Sequence, residues 1–424
     1  MSVEMSPPQV PPRITARPIA EIAREVRVDP RVAALVPGFD APFFQAGLAG
    51  YSDGAMRIIA RRHGCPFCVT EALLDQTLIN GGKGRTREDP DLLAAECGTG
   101  AIEDNVPARL ASAALSSASD DDAWPQRGCA TPGAARAHGG TLHDHPIAGQ
   151  IIGTRPEQMA HGAAILVGLG HDVVDVNLAC PVKKIRRASR GGHYLAHPAE
   201  AIEVLRAVRA AVPERVPCTV KLRRAYDDTP EMARHFERIF DAACELGYAW
   251  ATVHCRTVEQ KYLGPGRWEF LRDLTRRRGD RVIFGSGDVW TVEDIFAMLE
   301  LTGVQGVSVA RGCIGNPWIF RQARALMEGR EAALPTLAEQ RAALVEHFDL
   351  SCALWGEHRA GRMMRKFGIR FAAHHPRAAE VRQAFIRCDT VESWRAVIDR
   401  MYPAPRGCDP PPRVEPGTAE ASTG

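Results

Sequence analysis

Eight times between residues 43 and 312, a short β-branched or apolar run ends in small or polar residues and gives way to a segment of helical period. The runs are Phe43–Ala49, Phe67–Ala72, Ile147–Gly153, Val173–Cys180, Cys218–Arg223, Ala251–Arg256, Val282–Asp288 and Gly306–Gly312. Between them lie amphipathic segments. Pro156–Leu169 sets Met159, Ala163, Leu166 and Val167 near one face, and Pro198–Val212 opens on proline and repeats Ile202, Leu205 and Val208 at helical spacing. Glu231–Leu246 and Val292–Leu301 read likewise. This alternation predicts a closed parallel (β/α)8 barrel, a TIM barrel in the α/β class, rather than an open sheet.

The rest of the chain falls outside that rhythm. Residues 1–40 are an N-terminal extension, rich in Pro and Arg, with at most one short helix around Ala20–Val26. The barrel is expected over 41–330, with a long insertion at about 75–145 whose stretch from Ala111 to Gly140 is Ala-, Ser- and Asp-rich and reads as a partly disordered surface segment. Residues 331–403 have helical pattern throughout and read as a small all-helical domain; 404–424 form a flexible Pro/Gly tail.

Composition excludes several classes. With 45% hydrophobic and 25% charged residues the chain is globular, neither disordered nor collagen-like. No apolar run approaches the ~20 residues of a membrane span, and Met1–Pro12 lacks the apolar core of a secretory leader, so a cytoplasmic protein is expected. Twelve cysteines in 424 residues are too dilute for a disulfide scaffold. The one close pair, Cys65 and Cys68, has no second pair at ligand spacing, so it reads as buried strand residues and no metal is expected. The net charge of +2 carries no overall nucleic-acid signal, so any basic surface must be local.

In a barrel of this kind the chemistry sits at the C-terminal ends of the strands. Those ends carry Ala46-Gly47-Leu48-Ala49-Gly50, Gln150, Asn177 to Cys180, Lys221 and Arg223, His254 to Arg256, Ser286-Gly287-Asp288, and Ala310-Arg311-Gly312. Lys221 stands out because the chain has only six lysines and a structural lysine is costly to bury in a strand. The glycine-rich ends of the seventh and eighth runs, each followed by a helix start, suggest a phosphate site. Cys180 precedes Pro181 and the cations Lys183, Lys184, Arg186 and Arg187, surroundings that suit a reactive thiol. Between Arg359 and Arg387 eight cations stand against Glu380 alone, and Arg362, Lys366 and Arg370 repeat at i, i+4 on one helical face beside Arg365, the signature of a phosphate-gripping surface.

Taken together, Asp175–Lys184, Val220–Arg223, Thr252–Thr257 and Gly303–Phe320, with Ala46–Asp53, resemble the tRNA-dihydrouridine synthases over roughly residues 41–400. The resemblance implies an FMN-binding barrel followed by a helical RNA-binding domain, with NADPH or NADH as reductant and tRNA as partner of a monomer. It implies that Gly47, Leu48 and Ala49 line the flavin ring, with Gln150 and Lys221 at its polar edge and His254 close by. Ser286, Gly287, Asp288, Ala310 and Arg311 would hold the ribityl phosphate, Cys180 would be the proton donor, Asn177 would help to place the uracil, and Lys184, Arg362, Arg365, Lys366 and Arg370 would meet the RNA. This chain departs from the family pattern with Gly47 for Pro, Ala179 for Gly, Ser286 for Asn and Ala310 for Gly. Two rival readings are an FMN enzyme reducing a free pyrimidine and an RNA-binding protein without chemistry. The basic helical segment opposes the first, and the intact Cys180 and Lys221 oppose the second.

Overall fold

The computed structural model describes residues 13–81 and 144–403. Nine short strands form one parallel sheet: β1 (Phe43–Gln45), β2 (Cys68–Val69), β3 (Leu73–Leu74), β4 (Ile147–Ile152), β5 (Val173–Asn177), β6 (Cys218–Arg223), β7 (Trp250–His254), β8 (Ile283–Ser286) and β9 (Gly306–Val309). They run in the order β2–β1–β9–β8–β7–β6–β5–β4, and the pairing of β2 with β4 closes the ring. Both β2 and β3 pair with β4, so they are halves of one interrupted strand and the barrel is the expected eight-membered one.

The register explains the interruption. Val69 lies opposite Ala148 and Leu73 opposite Ile151, so one side carries an extra residue, a bulge. Thr70 occupies it, donating its N–H to Ala148 O (3.0 Å) and accepting from Gln150 N at its hydroxyl (2.9 Å). The sequence expectation stopped this strand at Ala72; the pairing continues to Leu74.

Period-two alternation sorts the side chains into a dry floor and a polar rim. Phe44, Phe67, Val69, Ala148, Val173, Trp250, Val282 and Phe284 form one buried apolar cluster at the N-terminal end of the strands. Phe39 completes it, stacked on Phe67 with ring centroids 4.7 Å apart, and Val32 and Val36 close it from below. Removing such a ring from water stabilises by roughly 1.5–3 kcal/mol each. Alternate residues such as Val174, Val176, Val220, Leu222, Val253 and Val309 belong to the larger core, which also includes residues of the surrounding helices.

Residues 13–40 hold two helices, Ile19–Glu25 and Pro30–Leu35, rather than at most one. The second starts because Asp29 accepts a hydrogen bond from Arg31 N (2.9 Å) and Pro30 presets φ at the first helical position. The Asp29-Pro30 pair that starts it is a helix-start signal in the sequence itself.

The Ala/Ser/Asp-rich stretch of the insertion, residues 1–12 and the tail 404–424 lie outside the described residues. The insertion's two ends are packed. Asp75 opens the helix Asp75–Ile79 and is buried, and Asp144 accepts from Arg57 Nε (2.8 Å) and Arg61 Nε (3.1 Å) within the protein interior. Cys65 and Cys68 are buried free thiols 3.8 Å apart, as expected, but only Cys68 is a strand residue; Cys65 lies in the loop that leads into β2. Over the segment that follows the barrel, the described residues form the helices Leu337–Trp355, Glu357–Phe371, Ala378–Ile386 and Val391–Met401, with no strand. Trp355 ties the first of these to the barrel by donating to Asp53 Oδ2 (2.8 Å). Among the described residues no helix is long and apolar enough to cross a membrane.

Candidate active site

The residues one period above the floor are polar, and they bind one another. Gln150 donates Nε2 to Asp175 Oδ2 (2.7 Å) and accepts from Asn177 Nδ2 at Oε1 (2.7 Å), while Thr219 donates to Asp175 Oδ1 (2.7 Å). Burial pushes the Asp175 carboxyl upward against these hydrogen bonds and the nearby Lys221 charge. Asp175 and Thr219 were not singled out from sequence, although their register gives them away: 175 and 177 alternate on β5 as 219, 221 and 223 do on β6.

Lys221 is the odd member. Its Nζ is buried and has no hydrogen-bond partner among the described residues. Burial pushes the ammonium down to about 7, only partly offset by Asp175. An amine in that state is matched to an electron-rich group arriving from outside.

Cys180 sits on a loop held from several sides. Asn177 Oδ1 accepts from Ala179 N (3.0 Å) and Cys180 N (3.2 Å), Arg223 Nε donates to Ala179 O (2.9 Å), and Gly192 N donates to Cys180 O (3.0 Å). Asn177 therefore positions the thiol-bearing loop and Gln150 at once. Arg223 also donates to Thr257 O (2.8 Å) and Lys261 O (2.7 Å), fixing the loop after β7. Burial raises the Cys180 thiol above its ordinary value, against a backbone hydrogen bond and the Arg223 charge, so the protonated thiol is the neutral-pH form. The cations that follow it in sequence do not reverse this. Arg186 is engaged by Glu259 and the Tyr226 hydroxyl, and Lys184 lies in the short helix Lys183–Arg186.

The ends of β7, β8 and β9 form a cationic pocket. His254 accepts from Arg256 N at Nδ1 (3.1 Å), which leaves Nε2 to carry the proton of the neutral ring. Burial and the charges of Arg223, Lys221, Arg256 and Arg311 hold it well below its usual pKa. Beside it, Gly287 has φ +118, and a Cβ there would stand 2.5 Å from Cys255 Sγ and 3.3 Å from His254 Cε1. Ser286 is buried at the end of β8, and Ala310 leads from β9 into the turn Arg311–Cys313. Arg311 lies over the rings of Trp290 and Tyr262, at 4.6 and 5.0 Å.

Asp288 has its carboxylate occupied within the protein. Its carboxylate accepts from Arg256 Nη2 (2.6 Å) and Gly266 N (2.7 Å) and pairs with Arg13 at 3.5 Å. It anchors those cations, and an anion could meet only its main chain. Arg256, missed as a site residue, keeps Nη1 buried without a partner among the described residues. Two residues beyond β1, a Cβ at Gly47 would fall 2.4 Å from Thr70 O and 3.2 Å from Gln150 Oε1, so the chain passes the polar rim too closely for a larger residue. Leu48 and Ala49 follow it into the loop, where Ser52 Oγ accepts from Leu48 N (2.7 Å).

Helix Glu357–Phe371 overlooks this rim. Lys366 donates to Gly50 O (3.2 Å) and lies 5.0 Å from the Tyr51 ring centre, and the Cβ of Arg370 packs against Gly315. Arg362 and Arg365 are exposed. A cleft of about 300 Å³ between the β1 loop and this helix is lined by Gly50, Glu71, Trp355, Arg359, Arg362 and Lys366. The structure thus brings Lys366 and Arg370 against the barrel, sets Arg362 on the wall of the cleft and leaves Arg365 exposed beside it.

A buried amine with no hydrogen-bond partner among the described residues, a buried protonated thiol and a glycine turn flanked by cations gather at the mouth of a TIM barrel, the end where enzymes of this fold carry their chemistry. The dihydrouridine synthase family model matches residues 134–402, and the chain belongs to that family. It is 31% identical over 270 residues to a probable tRNA-dihydrouridine synthase 1 of Synechocystis sp., covering 62% of this chain and 73% of the relative. It is 32% identical over 268 residues to tRNA-dihydrouridine synthase B of Xanthomonas campestris pv. campestris, covering 63% and 79%.

Proposed function

We propose that this chain reduces specific uridines of tRNA to 5,6-dihydrouridine with FMN as cofactor and NADPH or NADH as reductant, acting in the cytoplasm. The observation that carries the reading is the unpartnered Lys221 amine at the polar rim, in a chain of this family. The cradle supports FMN as well. Arg311, the buried Nη1 of Arg256, the His254 Nε2 proton and the main chain at Gly287 offer positive partners to a phosphate. Lys221 would hold the electron-rich edge of the ring.

FMN held at this rim would supply the hydride chemistry for reducing the C5–C6 bond of the uridine ring. Cys180 delivers the proton to C5, for which its burial-raised thiol is in the right state. Asn177 and Arg223 keep that thiol in place through the Ala179–Cys180 main chain. A stacked uridine must leave the RNA helix to reach the rim, and gripping the displaced strand falls to the helical segment 331–403, chiefly Arg362, Arg365, Lys366 and Arg370, with Lys184 at the loop beyond Cys180.

The purified protein is expected to absorb as a flavoprotein and to form dihydrouridine in tRNA transcribed without modification. A colourless protein that FMN cannot reconstitute overturns the proposal, and flavin with activity only on free pyrimidines favours the small-molecule enzyme. Binding to tRNA should weaken by about 10³-fold or more between 50 and 200 mM salt if six or more phosphates are contacted. A flat profile in filter binding argues against the RNA-gripping surface.

A further inference from the structure

Just beyond Cys180, and apart from the site above, three metal-ligating side chains meet. His193 belongs to the 3-10 helix Gly191–Ala196, His197 follows it, and Glu200 lies in the first turn of the helix Pro198–Ala211. His193 Nε2 stands 3.5 Å from Glu200 Oε2, and His197 Nδ1 stands 3.8 Å from Glu200 Oε1. The imidazoles are stacked, with centroids 4.1 Å apart and planes 21° from parallel. One ligand atom from each residue lies within 4.8 Å of the others. Ligands bound tetrahedrally at about 2.0–2.2 Å are separated by roughly 3.4 Å, so modest rotations close the set.

The geometry points to a binding site for a zinc-class divalent cation at His193, His197 and Glu200, with water completing the coordination. Two imidazoles and a carboxylate are the donor set that borderline cations prefer. The contacts within the trio are too long for good hydrogen bonds, yet the three groups converge. Side chains exposed by 21, 46 and 55% leave an entry path and room for the water. This runs against the metal-free expectation from cysteine spacing, because the His-x3-His-x2-Glu pattern spans a 3-10 helix and the start of an α-helix, two segments whose junction the sequence does not reveal.

A bound cation would tie the 3-10 helix to the helix Pro198–Ala211. Gly192 of that 3-10 helix donates to Cys180 O, and a Cβ on Gly191 would come 2.8 Å from the Cys180 Cβ, so the metal would brace the segment behind the thiol loop.

The test uses the untagged full chain, stripped with chelator and titrated with Zn²⁺ and, separately, Co²⁺. One tight equivalent of Zn²⁺ is expected, together with a Co²⁺ spectrum free of thiolate charge transfer, which separates this site from the cysteines. His193→Ala with His197→Ala should lose that equivalent, and Glu200→Gln should weaken it by about 10-fold or more, while flavin absorption stays at the parent level. Unchanged stoichiometry in the double variant, a thiolate band, or no tight binding by the parent overturns the proposal.

Discussion

Cys180→Ala is expected to keep its flavin while tRNA turnover falls by about 10²-fold or more, the usual contribution of a positioned general acid. The main chain at residue 180 is fixed by Asn177 Oδ1 and Gly192 N rather than by the thiol, so the loop should survive the change. Single-turnover formation of dihydrouridine, alongside the flavin spectrum, checks it. Parent-like turnover would remove the thiol from the reaction. The parent's pH profile adds a second reading. Because burial raises the thiol pKa, the proton donor stays loaded through neutral pH, and activity should decline only on the alkaline side of an ordinary cysteine. Arg223→Ala would distinguish positioning from proton transfer, since it frees the Ala179 carbonyl and leaves the thiol present.

The second large effect concerns Lys221. In the flavin-free protein, Lys221→Met should raise stability by on the order of a few kcal/mol at pH 7, since each unit of displaced pKa is worth about 1.4 kcal/mol. Burial brings the ammonium from 10.5 to about 7. Between those values the unfolded chain holds a proton that the folded chain does not, so parent stability climbs with pH across that window. The cost is fully present below about pH 7, and the advantage of the methionine variant should shrink as pH approaches 10.5. Denaturant midpoints measured across that range decide the matter; a variant less stable than the parent at pH 7 would mean that the amine has a partner. The same variant should hold FMN poorly, which equilibrium dialysis reads independently.

Much of this was legible in the sequence because strand periodicity is short and strict. Once the runs Val173–Cys180 and Cys218–Arg223 are read as strands, Asn177 and Lys221 must point inward, and their polarity marks the rim. What escaped depends on partners far apart in the chain. Asp288 reads as a phosphate contact beside a glycine, yet its carboxylate is taken by Arg256 and Arg13, 32 and 275 residues away. Asp175 looks like one polar residue in an apolar strand until Gln150 and Thr219 close on it. The bulge at Thr70 shows only when β2 and β3 are both set against β4.

The packed rings of Phe39, Phe67, Trp250 and Phe284, the first two stacked and the others edge-on or tilted, give the barrel a stopper at one end. Among the described residues that end is closed, so on the proposed reading both the reductant and the RNA would approach from the opposite rim, the side overlooked by helix Glu357–Phe371. Two partners that share one rim would then compete for the same approach.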